Sequence, residues 1–386
     1  MSSEHPFGPA PPPSTNLGIY RVLSPRASIR VSPLCLGGMS LGDKWTQYMP
    51  SADKETSMKL LDTFFEMGGN FIDTAVNYQF EESEKILGEW METRGIRDQI
   101  ILATKYTGMY KAADPSVKQR INYFGNNFKN MSLSVESSLK KLRTTYVDIL
   151  YVHAWDWDTS IKEMMDGLHT LVTSGKVLYL GISDTPAWFV AQANQYAECM
   201  GKTPFVIYQG HWNVLDRSFE RDIIPMARSN GKSFYMFLSV SVPTCAYAEE
   251  EQREKANDKG RSFRGEDWKR NETEKKLCRA LEKVANEISA KSIRAVAIAY
   301  VMQKTPYVFP IVGCRSPESF KENVEALSLS LTPEQVKYIE SEGPPFDPGF
   351  PHNIMGDGST MNWMFDMAGK IQRVPLQQAI RPSPSQ

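Results

Sequence analysis

The segment NFIDTAVNYQFEESEKILGEW, residues 70–90, contains one complete strand, loop and helix of the chain. Its apolar start, which runs up to the carboxylate of Asp73, is typical of a buried strand, and the loop after it carries Tyr78. The charged stretch that follows has apolar residues at helical spacing and predicts a helix packed on the strand. A strand that ends on a carboxylate, with a phenol just beyond it, indicates a polar site at that end.

The same unit recurs along the chain, because apolar β-prone runs alternate with amphipathic helices. We predict eight strands, which lie within residues 28–42, 70–75, 99–105, 146–156, 176–183, 204–213, 232–242 and 307–313. Helices are predicted between them, among them one over residues 132–145 that begins at a serine cap. Several strands are apolar on successive residues, which is typical of a parallel sheet covered on both faces.

Two α/β architectures suit this alternation, a closed (β/α)8 TIM barrel and an open doubly wound sheet. The number of strands favours the barrel, and so does the absence of a GxGxxG motif after the first strand. We therefore expect a single barrel domain over residues 25–345. A Pro-rich, disordered or extended tail is expected over residues 1–24, and a C-terminal extension over residues 346–386.

The composition argues against several classes of partner. The chain has 386 residues, and its 44 Lys and Arg nearly balance 45 Asp and Glu, so no basic surface for nucleic acid or an anionic membrane is indicated. No apolar run reaches the roughly 18 residues that a membrane span needs, and no signal peptide is apparent. The five cysteines are far apart, which suggests a reduced, cytoplasmic protein without disulfides.

Polar side chains are predicted at the carboxyl ends of three neighbouring strands. Asp73 ends the second strand, with Tyr78 in the loop beyond it. Lys105 ends the third strand and His153 the fourth. Each residue alone has a structural explanation, as a turn cap, a solvated rim residue or a hydrogen-bonded histidine. Because active sites of (β/α)8 barrels lie at this end of the strands, the four together predict a reaction site.

The four side chains suit the donation of a proton to an oxygen that gains negative charge. A phenol with a pKa of about 10 is a poor donor at neutral pH unless a cation stabilises its phenolate. Lys105 can supply the cation, and Asp73 can hold the ammonium group in place. His153 can orient a carbonyl oxygen. We therefore expect Tyr78 to protonate an oxygen as hydride reaches the attached carbon.

The ordered motifs resemble those of the aldo-keto reductases. They are GGNFIDTAVNY, ATK, YVHAWD, GIS and PIVGCRSPESFKEN, and the resemblance covers residues 28–345. EESEKILGEWM and PPFDPGFPHNIMG are most similar to the fungal aryl-alcohol dehydrogenase branch, which includes norsolorinic acid reductases of aflatoxin-type pathways. The resemblance implies a metal-free, NADPH-dependent oxidoreductase that reduces a small aryl or polyketide aldehyde or ketone. It implies these roles: Tyr78 as general acid, Lys105 and Asp73 as its tuning partners, and His153 as the carbonyl-orienting group.

The resemblance also implies which residues bind the nicotinamide half of NADPH. In the family, groups after the fifth and sixth strands hold the carboxamide, and Ser183 and Gln209 match them. Asp73 is assigned to this part of the cofactor site as well. Asp184 stands where the family usually has asparagine, which replaces an amide donor by a negative charge.

A second set of matches follows the last strand. By resemblance, Arg315, Ser316 and Asn323 grip the adenosine phosphate and adenine, and Ser319 joins them from one turn before Asn323. The residues themselves support this, because GCRS opens a helix whose free N–H groups favour an anion. Arg315 can pair with a phosphate through two hydrogen bonds. A helix cap with a surface arginine remains the alternative.

One stretch departs from the family pattern. Residues 231–254, GKSFYMFLSVSVPTCAYAEEEQRE, keep an apolar strand but lack the glycines that let the main chain approach the pyrophosphate. Phe237 in it is a candidate to stack on the nicotinamide. The departure leaves two alternatives to an active enzyme, a regulatory module that binds nicotinamide nucleotides and a paralogue with impaired cofactor binding.

Three tryptophans lie in loops expected at the mouth of the barrel: Trp45, Trp155 and Trp157. They either line an aromatic substrate pocket or pack the loops against each other, and the sequence favours neither.

Overall fold

The computed structural model describes residues 8–229, the main chain of residues 236–239, residues 270–356, and residues 364, 367–370, 372 and 374–382. Within these ranges eight parallel strands close a barrel. The prediction of a (β/α)8 barrel is therefore confirmed. Closure runs through the last strand, whose Ile311 pairs with Cys35 of the first barrel strand on one side and with Ser239 on the other.

Ten strands are described, numbered in chain order. The first two form a hairpin: β1 (Arg21–Ser24) and β2 (Ala27–Val31). The other eight form the barrel: β3 (Cys35–Gly37), β4 (Phe71–Asp73), β5 (Ile101–Tyr106), β6 (Val147–Val152), β7 (Val177–Ser183), β8 (Phe205–His211), β9 (Met236–Ser239) and β10 (Phe309–Gly313). All six residues of β6 are buried, as expected for a strand with both faces covered.

Helices surround the barrel and lie mostly between consecutive strands. Those in the described ranges are α1 (Lys54–Glu66), α2 (Glu82–Arg94), α3 (Phe128–Lys141), α4 (Ile161–Thr173), α5 (Ala187–Cys199), α6 (Ile223–Ser229), α7 (Glu272–Glu287), α8 (Ile293–Lys304), α9 (Pro317–Val324), α10 (Pro333–Glu342) and α11 (His352–Met355). Helix α3 begins earlier than predicted, because Asn127 caps it by accepting from the Asn130 N–H at 3.0 Å. The serine cap predicted near residue 132 is therefore wrong.

The amino-terminal region corrects two expectations. Only Cys35–Gly37 of the strand expected within residues 28–42 belongs to the barrel, since β2 pairs with β1 instead. The hairpin packs on the amino end of the barrel, where its Leu23 and Val31 join one buried cluster with Phe71 and Phe309, the first residues of β4 and β10.

The expected tail over residues 1–24 is also shorter than predicted. Residues 1–7 lie outside the described ranges. From Thr15 onward the chain packs against the rest of the domain. The Thr15 hydroxyl donates to the Met67 carbonyl at 2.7 Å, and Leu17 is fully buried.

The first residues of the C-terminal extension contact the barrel. The Phe346 ring lies 4.6 Å from the Arg217 guanidinium and 5.5 Å from that of Arg221. Arg221 also donates to the Asp347 carbonyl at 2.8 Å. No helix in the described ranges combines the length and the apolarity that crossing a bilayer requires.

Candidate active site

The parallel strands bring four predicted side chains to one end of the barrel. Asp73 is the last residue of β4, Lys105 lies near the end of β5, and His153 directly follows β6. Tyr78 begins a short 3-10 turn in the loop after β4. This is the carboxyl end of the barrel, as the sequence predicts.

A buried ion pair lies at the centre of this end. The Lys105 ammonium donates to Asp73 Oδ2 at 2.5 Å, to the Thr74 carbonyl at 2.8 Å and to the Tyr78 hydroxyl at 3.4 Å. The side chains of Lys105 and Asp73 are 0% and 4% exposed. Gln209 donates from Nε2 to the other Asp73 oxygen at 3.1 Å. All three ammonium protons and both carboxylate oxygens are therefore satisfied by fixed partners.

The Tyr78 ring is held between aromatic neighbours. Its centroid lies 5.8 Å from that of His153 and 6.1 Å from that of Trp45, with both neighbouring rings turned edge-on. The Lys105 nitrogen lies 5.0 Å from the same centroid. Three contacts from different elements thus fix the direction of the phenol.

Burial and charge act in opposite directions on the Tyr78 phenol. Burial raises its pKa above the ordinary value, the positive charge of Lys105 acts against this, and the charge of Asp73 adds to it. Burial therefore outweighs the effect of the Lys105 cation on the pKa of the phenol. The phenol keeps its proton at neutral pH, which is the form that a general acid needs.

Lys105 remains a cation in spite of its burial. Burial lowers the pKa of its ammonium group, but the Asp73 carboxylate and the Tyr78 phenol outweigh this, so the pKa lies above its ordinary value. Lys105 is therefore charged at neutral pH and can stabilise negative charge on the phenol oxygen as the proton leaves.

His153 is neutral in the folded protein. Burial lowers its pKa to about 3, and the charge of Lys105 acts in the same direction. The unfolded chain takes up this proton near pH 6.5 and the folded chain only near pH 3. The stability gained from a neutral imidazole is therefore present above about pH 6.5 and is lost as the pH falls towards 3.

We expect the His153 imidazole to show no titration between about pH 5 and pH 8, because its pKa lies far below that window. Proton NMR of the histidine C2–H signals measures this, and His153→Asn identifies the signal by removing it. A midpoint at about 6.5 for that signal would mean that the ring is solvated and not enclosed by the site.

The residues assigned to the nicotinamide end lie after β7 and on β8. Ser183, the last residue of β7, is buried. Asp184 has an exposed side chain and a φ of 40°, and its N–H donates to the Gln209 carbonyl at 3.2 Å. Gln209, assigned to the cofactor, also contacts Asp73 directly. The sequence carried no signal for this contact, because it joins residues far apart in the chain.

The residues assigned to the adenosine end surround the start of α9. Ser316 caps this helix by accepting from the Ser319 N–H at 3.2 Å, and Arg315 precedes it with an exposed side chain. Asn323 is 5% exposed and donates to Cys314 Sγ at 3.2 Å.

The Asn323 Oδ1 acceptor has no donor among the residues that the structure describes. A buried acceptor without a partner is costly, and a ligand that supplies an N–H group removes that cost. The exocyclic amine of adenine is such a donor, so the residues present fit the adenosine part of NADPH.

Residues 231–254, where the sequence departs from the family pattern, lie outside the described residues, apart from the main chain of β9. That main chain pairs with β8 and β10 in the register of the barrel. The Phe237 side chain is not among the described atoms, and its stacking on the nicotinamide stays a prediction.

The tryptophans occupy two places. Trp45 contacts the Tyr78 ring. Trp155 and Trp157, in the loop after β6, lie 4.3 Å apart between ring centroids, and Trp155 also packs on Phe189 at 4.0 Å. Trp157 is 68% exposed. Trp188, a residue of α5 whose ring lies 5.6 Å from that of Trp155 between centroids, is 51% exposed. An open aromatic surface therefore adjoins the loop that carries His153.

An acid, a lysine, a phenol and an imidazole thus lie together at the carboxyl end of a (β/α)8 barrel, where the active sites of barrel enzymes are found. Comparison with family models matches residues 33–342 to the Aldo/keto reductase family. The chain belongs to that family. The resemblance drawn from the motifs is confirmed.

Individual relatives support this assignment over nearly their whole length. The chain is 54% identical over 385 residues to "Aryl-alcohol dehydrogenase [NADP(+)]" of Phanerodontia chrysosporium, covering 97% of this chain and 99% of that protein. It is 52% identical over 352 residues to a putative aryl-alcohol dehydrogenase of Saccharomyces cerevisiae, covering 91% and 93%. It is 45% identical over 383 residues to norsolorinic acid reductase A of Aspergillus parasiticus, covering 97% and 96%.

Proposed function

We propose that this protein is an NADPH-dependent oxidoreductase that reduces an aldehyde or ketone on an aryl or polyketide compound to the alcohol, or runs the reverse reaction. The main observation behind the proposal is that the Lys105 ammonium group contacts both Asp73 and the Tyr78 hydroxyl. The relative from Phanerodontia chrysosporium is named an NADP(+) enzyme. That name supports the same cofactor here.

In the proposed reaction Tyr78 is the general acid. Bound NADPH supplies the hydride to the carbonyl carbon. Tyr78 gives its phenolic proton to the carbonyl oxygen as negative charge develops there, and the C=O group becomes an alcohol. Lys105 stabilises the phenolate that remains, and Asp73 holds Lys105 in position. Solvent then returns the proton to Tyr78.

His153 is proposed to orient the carbonyl oxygen. Because its pKa lies at about 3, the ring is neutral and has one N–H to donate to that oxygen. Its edge-on contact with Tyr78, at 5.8 Å between ring centroids, supports this role. Donation by a neutral imidazole directs the substrate without competing with Tyr78 as the proton source.

The cofactor would be held at both ends by this chain. We propose that Ser183, Asp184 and Gln209 contact the carboxamide of the nicotinamide, beside Asp73. The Nε2 group of Gln209 is engaged with Asp73, which leaves its carbonyl oxygen to accept from the carboxamide. At the other end we propose Arg315, Ser316 and Ser319 for the phosphate and Asn323 for the adenine.

The substrate class is proposed to be a small aromatic carbonyl compound. The names of relatives refer to an aryl alcohol and to norsolorinic acid. Trp45 beside Tyr78, with Trp155 and Trp157 in the loop after β6, offers flat surfaces for such a substrate. We also propose a cytoplasmic location, as the sequence expectation has it.

The proposal is tested with purified protein, NADPH and a panel of substituted benzaldehydes and aliphatic aldehydes. We expect loss of absorbance at 340 nm with the benzaldehydes and weaker activity on the aliphatic compounds. Titration of protein fluorescence with NADPH separates the alternatives. Binding without turnover on any aldehyde would favour a regulatory module, and absence of binding at about 100 μM, a concentration in the ordinary KM range, would favour a cofactor-impaired paralogue.

A further inference from the structure

A fully buried glutamine directly follows the proposed proton donor. Gln79 has no exposed surface. Its Oε1 accepts from the main-chain N–H of Trp45 at 2.7 Å, and its Nε2 donates to the Met39 carbonyl at 2.8 Å and to the Ser51 hydroxyl at 3.0 Å. All three partners lie in the segment that follows β3. Both amide protons of Gln79 are thus used to tie the loop of Tyr78 to a second loop.

The main chain at this point has an unusual conformation. Gln79, Phe80 and Glu81 have φ values of 51°, 48° and 76°. For residues other than glycine this left-handed region costs about 1–2 kcal/mol each, and such residues persist only where their surroundings hold them. Without those contacts the segment would relax, and the chain would leave Tyr78 in a different direction.

Side chains hold each of the three residues. The amide of Gln79 is fixed as described, and the Phe80 ring packs edge-on against Trp45 at 5.9 Å between centroids. Glu81 pairs with Lys111 at 2.7 Å and with Lys141 at 3.2 Å. Gln79 and Phe80 both contact Trp45, whose ring packs against that of Tyr78, and Gln79 holds Trp45 through a hydrogen bond to its main chain.

The contact between the Lys105 nitrogen and the Tyr78 hydroxyl depends on where the loop of Tyr78 holds the phenol. The Lys105 nitrogen lies 3.4 Å from the Tyr78 hydroxyl, which is near the outer limit of a hydrogen bond. A displacement of the phenol by about 1 Å would break that contact, and misplacements of this size can lower a rate by about 100-fold.

We propose that Gln79 is a positioning residue for the reaction. Its three hydrogen bonds hold the left-handed segment and the Trp45 loop so that the Tyr78 hydroxyl stays within reach of Lys105. The inference rests on the proposed function, since it assumes that Tyr78 is the acid. It adds a residue that does not touch the substrate and acts only through Tyr78.

The test compares Gln79→Gly with Gln79→Ala. Glycine adopts positive φ without steric cost, so Gln79→Gly removes the hydrogen bonds while leaving the backbone conformation allowed. For both variants we expect kcat for aldehyde reduction to fall by about 10- to 100-fold, with the Kd for NADPH changed less than about twofold. A residue needed only for its left-handed conformation would lose activity in Gln79→Ala but not in Gln79→Gly.

A pH profile gives a second readout that a purely structural role would not move. Alcohol oxidation needs the Tyr78 phenolate, which Lys105 stabilises. If Tyr78 moves away from Lys105, the pKa of the phenol rises. The rising limb of kcat against pH for alcohol oxidation is therefore expected to shift to higher pH in Gln79→Gly.

Gln303 provides a matched control. It is also buried, donates from Nε2 to the Leu329 carbonyl at 2.8 Å and accepts at Oε1 from the Leu331 N–H at 3.0 Å. It lies on α8, and these partners do not belong to the proposed site. Gln303→Ala is expected to lower the melting temperature as Gln79→Ala does, with kcat and the pH profile unchanged.

Each outcome decides the proposal. Gln79→Gly with kcat and pH profile within about twofold of the wild type would overturn it, and so would an equal loss of kcat in Gln303→Ala. If Gln79→Gly does not fold, Ser51→Ala tests the proposal instead. It removes the hydrogen bond from Gln79 Nε2 to Ser51, and it should lower kcat and shift the pH profile in the same direction. A wild type that binds NADPH but reduces no aldehyde would contradict the proposed function, and this inference with it.

Discussion

Tyr78→Phe is expected to lower kcat for aldehyde reduction by about 10²- to 10⁴-fold, the range that a positioned general acid contributes. The substitution removes only the hydroxyl that contacts Lys105 at 3.4 Å. The ring, with its edge-on contacts to His153 and Trp45, remains. The fold and the Kd for NADPH should therefore be retained. Steady-state kinetics at 340 nm and fluorescence titration with NADPH measure the two quantities.

Tyr106→Phe is the matched control for this change. Tyr106 follows Lys105 on β5 and is fully buried, but its hydroxyl donates to the Asn126 carbonyl at 3.4 Å. Loss of that hydroxyl should leave kcat nearly unchanged. If Tyr78→Phe kept more than about a tenth of the wild-type kcat, Tyr78 would not be the general acid.

Lys105→Met is expected to lower both stability and activity. The substitution leaves the Asp73 carboxylate buried, with Gln209 as its remaining side-chain partner among the described contacts. Removing one partner of a buried ion pair costs about 3–5 kcal/mol of unfolding free energy. Activity falls as well, because nothing then stabilises the Tyr78 phenolate. Urea unfolding and kcat measure the two effects.

A double variant separates the two effects. Adding Asp73→Asn to Lys105→Met removes the unpaired charge, so part of the unfolding free energy should return while kcat stays low. The exposed pair of Lys59 and Glu55 gives the control, since Lys59→Met should leave the midpoint of urea unfolding nearly unchanged. A single Lys105→Met variant as stable as the wild type would contradict the account of the buried pair.

The barrel and the strand-end residues could be predicted because they depend on local patterns. Alternating apolar strands and amphipathic helices specify a barrel, and parallel strands bring their carboxyl ends together whatever the loops do. Asp73, Lys105 and His153 thus lie at the carboxyl ends of β4, β5 and β6, as the sequence predicts. The hairpin of β1 and β2 was missed, since β2 has the composition of a barrel strand and only its pairing with β1 sets it apart.

Other features of the site depend on contacts between distant parts of the chain. The balance of burial and charge on Tyr78 requires knowing how deeply the phenol lies. The hydrogen bond from Gln209 to Asp73 joins β8 to β4. The left-handed φ of Gln79 runs against the local preference of glutamine and follows from partners 28 to 40 residues earlier.

The central claim is that this chain moves hydride from NADPH to a carbonyl carbon, and isotope transfer tests it most directly. NADPH deuterated at its hydride-donating position would be mixed with the wild-type protein and a benzaldehyde, and the product examined by mass spectrometry. We expect a benzyl alcohol that carries one deuterium on its carbinol carbon, with none at that carbon when the label is in the solvent instead. An alcohol without the cofactor's deuterium, or no alcohol at all, would contradict it.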